Sequence, residues 1–365
     1  MSIALLPVAF ARFSLGAGHS IMIKHDGSVW AAGGSHFGQL GISSNANPAT
    51  TFVQVFSGGV NAVAAGGAHS ILLRQDGSVW VAGRNINGQL GDGSNADREV
   101  FVRVIFSSTR SVAAGSKHSL VAKKDGSVWA TGCNRYGQLG DGSTTDRNIF
   151  AQVPLSNIQA VAAGIDHSLA LGKDGSVWGT GSNDFGQIGD RSHALTPMFT
   201  QLLSTGVESI AAGGYHSMVL KQDGTVWAMG ANEHGQLGDE TTVTKKDMQL
   251  VCTGAKAIAA GLHHSFVLGR DGTAWATGSN TYGQLGDGSK TQRNVFIPVL
   301  AGAGQAVAAG GWHSMVLRRD GSFWVTGKNH EGQLGDGSTI DRSAFVRVAK
   351  ASDSGVYVVV SWLIR

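Results

Sequence analysis

The 365 residues are enough for two ordinary domains, but the 54 glycines fall at fixed intervals, and only five prolines occur, so a flexible linker between halves is not expected. Charge is sparse at 15% and the net value is +3, too weak a basic bias to argue for nucleic acid. Two cysteines, Cys133 and Cys252, at unrelated places rule out a disulfide framework and a cysteine zinc site, and fit a reducing compartment, cytoplasmic or nuclear.

The start, MSIALLPVAFARF, is apolar, but its first cation is Arg12, so it lacks the basic region of a secretory signal. A repeat then begins. The pair His-Ser recurs at His19, His69, His118, His167, His216, His264 and His313, with steps of 48 to 50 residues. A group that returns seven times at equal spacing belongs to a building unit rather than to one catalytic centre.

The third unit shows the elements in order. SVAAG, from Ser111, is short and small. HSLVAKKDG alternates and ends in the hairpin signal Asp125-Gly126. SVWATG is a further strand with a large aromatic, CNRYGQLGDGSTTDR is a polar glycine-rich loop, and FAQV, from Phe150, is a fourth short strand. No window has sustained helical periodicity. Each unit therefore predicts a four-stranded antiparallel meander of about 49 residues. One such sheet cannot bury both faces alone, so seven stacked units predict an all-β fold, a seven-bladed β-propeller forming a single domain over 1–365. The Ala-Ala-Gly run suits the innermost strand. Trp30, Trp80, Trp129, Trp178, Trp227, Trp275 and Trp324 suit the wider gap between blades.

The recurrent histidines read as structural groups, each tying a turn through ring-nitrogen hydrogen bonds to backbone, because no partner set of cysteines or carboxylates accompanies them. Asp141 and Asp146 in GDGSTTDR raise the possibility of calcium, but the acidic spacing of an EF-hand loop is missing; an Asx-type turn with an Asp-Arg surface pair is expected. The cation pairs Lys123-Lys124, Lys245-Lys246 and Arg318-Arg319 read as solvated surface. The end, GVYVVVSWLIR, has about half the apolar length of a membrane span. Ser2 begins SIAL, in register with a fourth strand, and Val356 begins VYVVVS, in register with a first strand. The N-terminal strand, the C-terminal strand, or both in competition would close the ring, with 349–365 an atypical closing segment. Unit one has Ser35 in place of Asn and Ile42 in place of Asp, so the seam is expected there.

The pattern VAAGxxHSxxLxxDGxVWATGxNxxGQLGDG resembles the repeat of the regulator of chromosome condensation family over roughly 13–348. The resemblance implies a seven-bladed propeller and leaves function open, since members include a nucleotide exchange factor for a small nuclear GTPase, an ultraviolet-B photoreceptor, a β-lactamase inhibitor and adaptors. No wedge-sized insertion fits between successive His-Ser pairs, and the first eleven residues have no Lys or Arg, which speaks against exchange activity and chromatin binding. Only Trp312 stands just before a recurrent His, against a tryptophan-cluster chromophore; the other units have Gly18, Ala68, Lys117, Asp166, Tyr215 and His263 there.

Function is then expected where the units differ. In a meander the loops after the first and third strands leave from one end, and the Asp-Gly hairpins from the other. Lys117, Asp166, Tyr215, His263 and Trp312 should share that face with Arg135, Asp184, Glu233 and His330, and with Tyr136, Phe185, His234 and Tyr282. The aromatics Phe37, Tyr136, Phe185 and Tyr282 have the alternative of packing their own loops. Trp, Tyr and Arg are favoured interface anchors. The expectation is a non-catalytic adaptor or regulator propeller, monomeric, gripping a protein partner with this face. A small-GTPase regulator or exchange factor is the alternative partner class, and an inhibitor of the β-lactamase-inhibitor type a further one. No catalytic residue, metal or cofactor is assigned, because no nucleophile–base or ligand set rises above the repeats; neither nucleic acid nor membrane is expected as a partner.

Overall fold

A computed structural model describes residues 12–24, 26–43, 48–105, 107–189 and 195–350. It contains seven four-stranded antiparallel sheets, each built from one contiguous stretch: 13–56, 60–105, 109–153, 158–203, 207–252, 255–300 and 304–350, numbered here as blades 1 to 7. Blade 3 is typical, with strands Thr109–Ala114, His118–Lys123, Val128–Gly132 and Arg147–Val153 hydrogen-bonded in sequence order. The described residues form no helix, and so none that is long and apolar enough to cross a membrane.

The first strands of neighbouring blades touch one another around the ring, blade 1 meeting both blade 2 and blade 7. Crowding there explains the small residues. A Cβ on Gly164 would lie 2.3 Å from the His167 ring and 2.5 Å from the Gly213 carbonyl, so only glycine fits. Backbone amides bond from blade to blade at this level, as from Ser116 to the Gly164 carbonyl at 3.1 Å. The same link closes the ring, from Gly311 to the Gly16 carbonyl at 2.9 Å.

The core lies between blades rather than within them. Ile21, Val29 and Leu40 of blade 1 pack with Val63, Leu72 and Phe101 of blade 2. At the seam Phe13, Leu15 and Met22 pack with Met315, Phe323 and Val325, and Phe13 meets Phe323 edge-on at 5.8 Å. The segments 2–5 and 356–361, expected to compete for closure, lie outside the described residues, as do 351–355 and 362–365 of the proposed closing segment. The ring closes between blades 7 and 1, and Ser35 and Ile42 lie in the loop after the third strand of blade 1.

The histidines form a continuous belt, and the sequence expectation needs correction. Each imidazole is at most 1% exposed. Its Nε2 bonds not to backbone but to the serine hydroxyl of the next blade: His118 to Ser168 at 2.9 Å, His167 to Ser217 at 3.1 Å, and so around to His313 and Ser20 at 2.9 Å. Each serine donates its own proton to a glutamine carbonyl one blade back, as Ser168 does to Gln138 at 2.7 Å. The serine oxygen must therefore receive the imidazole N–H, which fixes the Nε2–H tautomer and leaves Nδ1 unprotonated. Burial lowers the pKa of His19 and His167 to about 4 and of the other five to about 3, neighbouring imidazoles adding to the shift for these five.

At the opposite end, Gly126 turns with φ +92°, which suits the Asp-Gly hairpin. Asp125 accepts from the Ser127 amide and hydroxyl, and the Trp129 indole N–H donates to Ser127 Oγ at 3.2 Å. The tryptophans do fill the gap between blades, as Trp80 does against Phe56 at 5.5 Å, but they are half-buried rather than buried. Cations cover several of the exposed indole faces, for example Lys123 Nζ at 4.8 Å from the Trp129 ring.

Candidate interaction face

The loop after the third strand is held by internal hydrogen bonds, as blade 3 shows. In blade 3, Asn134 is fully buried; its Oδ1 takes the Leu139 amide at 3.0 Å and its Nδ2 donates to Asp141 at 3.1 Å. Asp146 receives the Asn134 amide at 2.7 Å, and Gln138 Oε1 receives the Tyr136 amide at 2.9 Å. Arg147 pairs with Asp141, whose side chain is 5% exposed. The two aspartates are thus used up as internal ties. Among the described residues no group of three or more His, Cys, Asp or Glu is arranged to hold a metal ion. Held between Asn134 and Gln138, the tip presents Arg135 and Tyr136 to solvent.

The residues expected on this face cluster in two groups. In the first, Lys117, Arg135 and Asp184 are exposed and Asp166 is half-buried. Gln138 donates to Asp166 at 3.2 Å. Burial raises the Asp166 pKa, with Lys117 and Arg135 opposing and Asp184 reinforcing the shift. Tyr215 stands between Phe185, 5.3 Å away, and His263, 6.5 Å away. Its phenol is pushed up by burial and then by Asp166. His263 meets His234 edge-on at 4.8 Å; burial, then His234, lowers its pKa, while exposed Glu233 opposes. In the second group, Tyr282 meets Trp312 at 6.3 Å and His330 at 5.9 Å, and His330 approaches Asp341 at 3.4 Å. No ring contact joins the two groups among the described residues.

The aromatics after the recurrent Asn do not simply pack their own loops. Phe185 and Tyr282 reach the following blade, onto Tyr215 and Trp312, and Phe37 lies beneath Arg84 of blade 2 at 4.6 Å. Sequence reasoning missed Arg84 and Lys328, which stand just before the recurrent Asn. Lys328 Nζ lies 5.2 Å from the Tyr282 ring and 4.9 Å from the Trp312 ring. The available signal was a cation at that position one repeat after an aromatic. At the seam, His36 of blade 1 meets Glu331 of blade 7 at 3.0 Å.

Seven contiguous four-stranded blades with one sequence frame per blade define a circular-repeat propeller whose variable loops emerge at one end. A family model of the RCC1-like domain matches residues 104–361, and models of the regulator of chromosome condensation (RCC1) repeat match 60–89 and 76–122. The chain belongs to the RCC1-like domain family. Human WBSCR16 is similar in structure, with a TM-score of 0.77 and 23% identity over 88% of this chain and 93% of that one. Prp20p from Saccharomyces cerevisiae, described together with its binding to Gsp1p and histones, gives 0.78 and 22% over 92% and 88%. The yeast RCC1 (Prp20) structure with Kap60 gives 0.78 and 20% over 97% and 91%. At these identities the likeness is one of fold. Comparison with curated proteins finds no match.

Proposed function

We propose that this propeller is a non-catalytic adaptor or regulator that binds a protein partner through the loop face. One observation carries the reading: the recurrent His, Ser and Gln, and the Asn of blades 2 to 7, are buried in internal ties, while Lys117, Arg135, Asp184, Glu233 and His330 at the variable positions stand exposed on the same face as the aromatic pairs Phe185–Tyr215 and Tyr282–Trp312. Rings of that kind, partly covered and flanked by charge, are suited to anchoring a partner. The test is affinity capture from the native source with the wild-type chain, Lys117→Glu and Trp312→Ala, and with Lys124→Glu on the hairpin end as control. A partner retained by the wild type and the control but lost from both loop-face variants is expected. Equal capture by all four would end the reading.

Regulation of a small GTPase is the second reading. The fold shared with Prp20p, described with its binding to Gsp1p, favours it. The even spacing of the repeats, with no inserted wedge, counts against exchange activity. Accelerated release of labelled nucleotide from a small GTPase in the presence of the full chain would establish it.

A further inference from the structure

Phe185, Tyr215, His263 and His234 form one continuous wall across blades 4 to 6, with ring centroids 5.3, 6.5 and 4.8 Å apart in that order. Asp184 directly precedes Phe185 and Glu233 directly precedes His234. Both carboxylates are exposed, and neither has an ion-pair partner among the described residues. The nearby Asp166, by contrast, is half-buried, accepts from Gln138 and feels the attraction of Lys117 and Arg135. His263 Nδ1 is buried without a hydrogen-bond partner. That nitrogen is closed off from solvent, so what the wall offers a partner is its π faces and two carboxylates without an ion-pair partner.

Other blades show what such a surface takes. Phe37 is covered by Arg84, and the Tyr282–Trp312 pair by Lys328, each cation coming from the position before the recurrent Asn of the following blade. In the blade that follows Phe185, that position is Ala231, and in the one that follows His234 it is Ser279. The aromatic frame is retained there, the intramolecular cation is not, and acidic residues flank it. A guanidinium matches the remaining requirements: it is planar, stacks on an aromatic face, and donates in a fork to carboxylates.

Taking the loop face as a protein-binding surface, we infer that the Tyr215 wall is an arginine-binding site, receiving an arginine side chain of the partner between Asp184 and Glu233. The probe is a fluorescent peptide of four Gly-Arg repeats, compared with its Gly-Lys and Gly-citrulline counterparts, titrated with the full chain. The arginine peptide should bind at least fivefold more tightly than the lysine peptide and at least tenfold more tightly than the citrulline peptide. Tyr215→Ala, and Asp184→Asn combined with Glu233→Gln, should each weaken it at least fivefold; Tyr282→Ala, in the cluster Lys328 already covers, should leave it unchanged. The double carboxylate variant changes only exposed side chains, so its result does not depend on an altered core. Equal binding of the citrulline peptide, or indifference to both wall variants, overturns the site. Capture of the native partner separates the two levels: a partner lost with Lys117→Glu but kept by the double carboxylate variant leaves the loop-face reading standing and removes the arginine site. Capture unaffected by any loop-face variant removes the loop-face reading, while the peptide titration still decides the site.

Discussion

Lys117 and His118 are neighbours in sequence and opposites in role. His118 is fully buried and belongs to a belt of seven imidazoles, each bonded to the next blade's serine; Lys117 is exposed and has no counterpart of its kind in the other six repeats. The difference teaches how a ring of repeats divides its work. Every blade boundary must satisfy the same buried polar groups, so the belt cannot vary, whereas one residue away solvent satisfies whatever is there. Blade 1 marks the limit of the rule. Its Ser35 takes the Leu40 amide at a long 3.4 Å, where Asn85 takes the Leu90 amide at 2.9 Å and also donates to Asp92 at 3.0 Å. Yet His313 and Ser20 close the belt at the seam as at any other boundary.

Acid should break the belt first. The unfolded chain's histidines take up protons as pH falls through about 6.5, while the folded imidazoles, depressed to about 3 or 4, resist. Stability is therefore complete above pH 6.5 and is lost as pH falls toward 4, by up to about 1.4 kcal/mol per histidine per pH unit. Urea titrations at pH 7, 6 and 5 should show a steep fall, ahead of the loss from loop aspartates such as Asp125 and Asp287, whose pKa values are lowered and whose contribution disappears only in stronger acid. A flat profile over that range would mean that the imidazoles are not held neutral.

Single substitutions sharpen the contrast. Ser168→Ala strands the His118 N–H and the Gln138 carbonyl, and should cost about 2 kcal/mol or more in the same titration. Trp129→Ala removes an indole that is half-exposed, so it should cost less than the about 3–5 kcal/mol of a fully buried tryptophan. Lys117→Glu should change stability by no more than about 0.5 kcal/mol, while weakening the partner. Should Lys117→Glu destabilise the ring as much as Ser168→Ala, the division between belt and face would not hold.

Much of this was legible in the chain because repetition amplifies weak signals. The period, the Asp-Gly hairpins, the small inner strand and the position of the tryptophans all follow from local periodicity and turn chemistry. The direction of the histidine bonds was not legible. Ser168 is 50 residues from His118, and only blade stacking brings the two within 2.9 Å. For the same reason the pairings of Phe185 with Tyr215, and of Tyr282 with Trp312 under Lys328, emerged only in three dimensions.

The sequence by itself determined the sheet, its turns and the number of blades, since each depends on residues within one repeat. Tertiary structure alone decided which imidazole meets which serine and which aromatics are left without a cation, since those contacts lie between repeats and depend on the angle at which one blade stacks on the next.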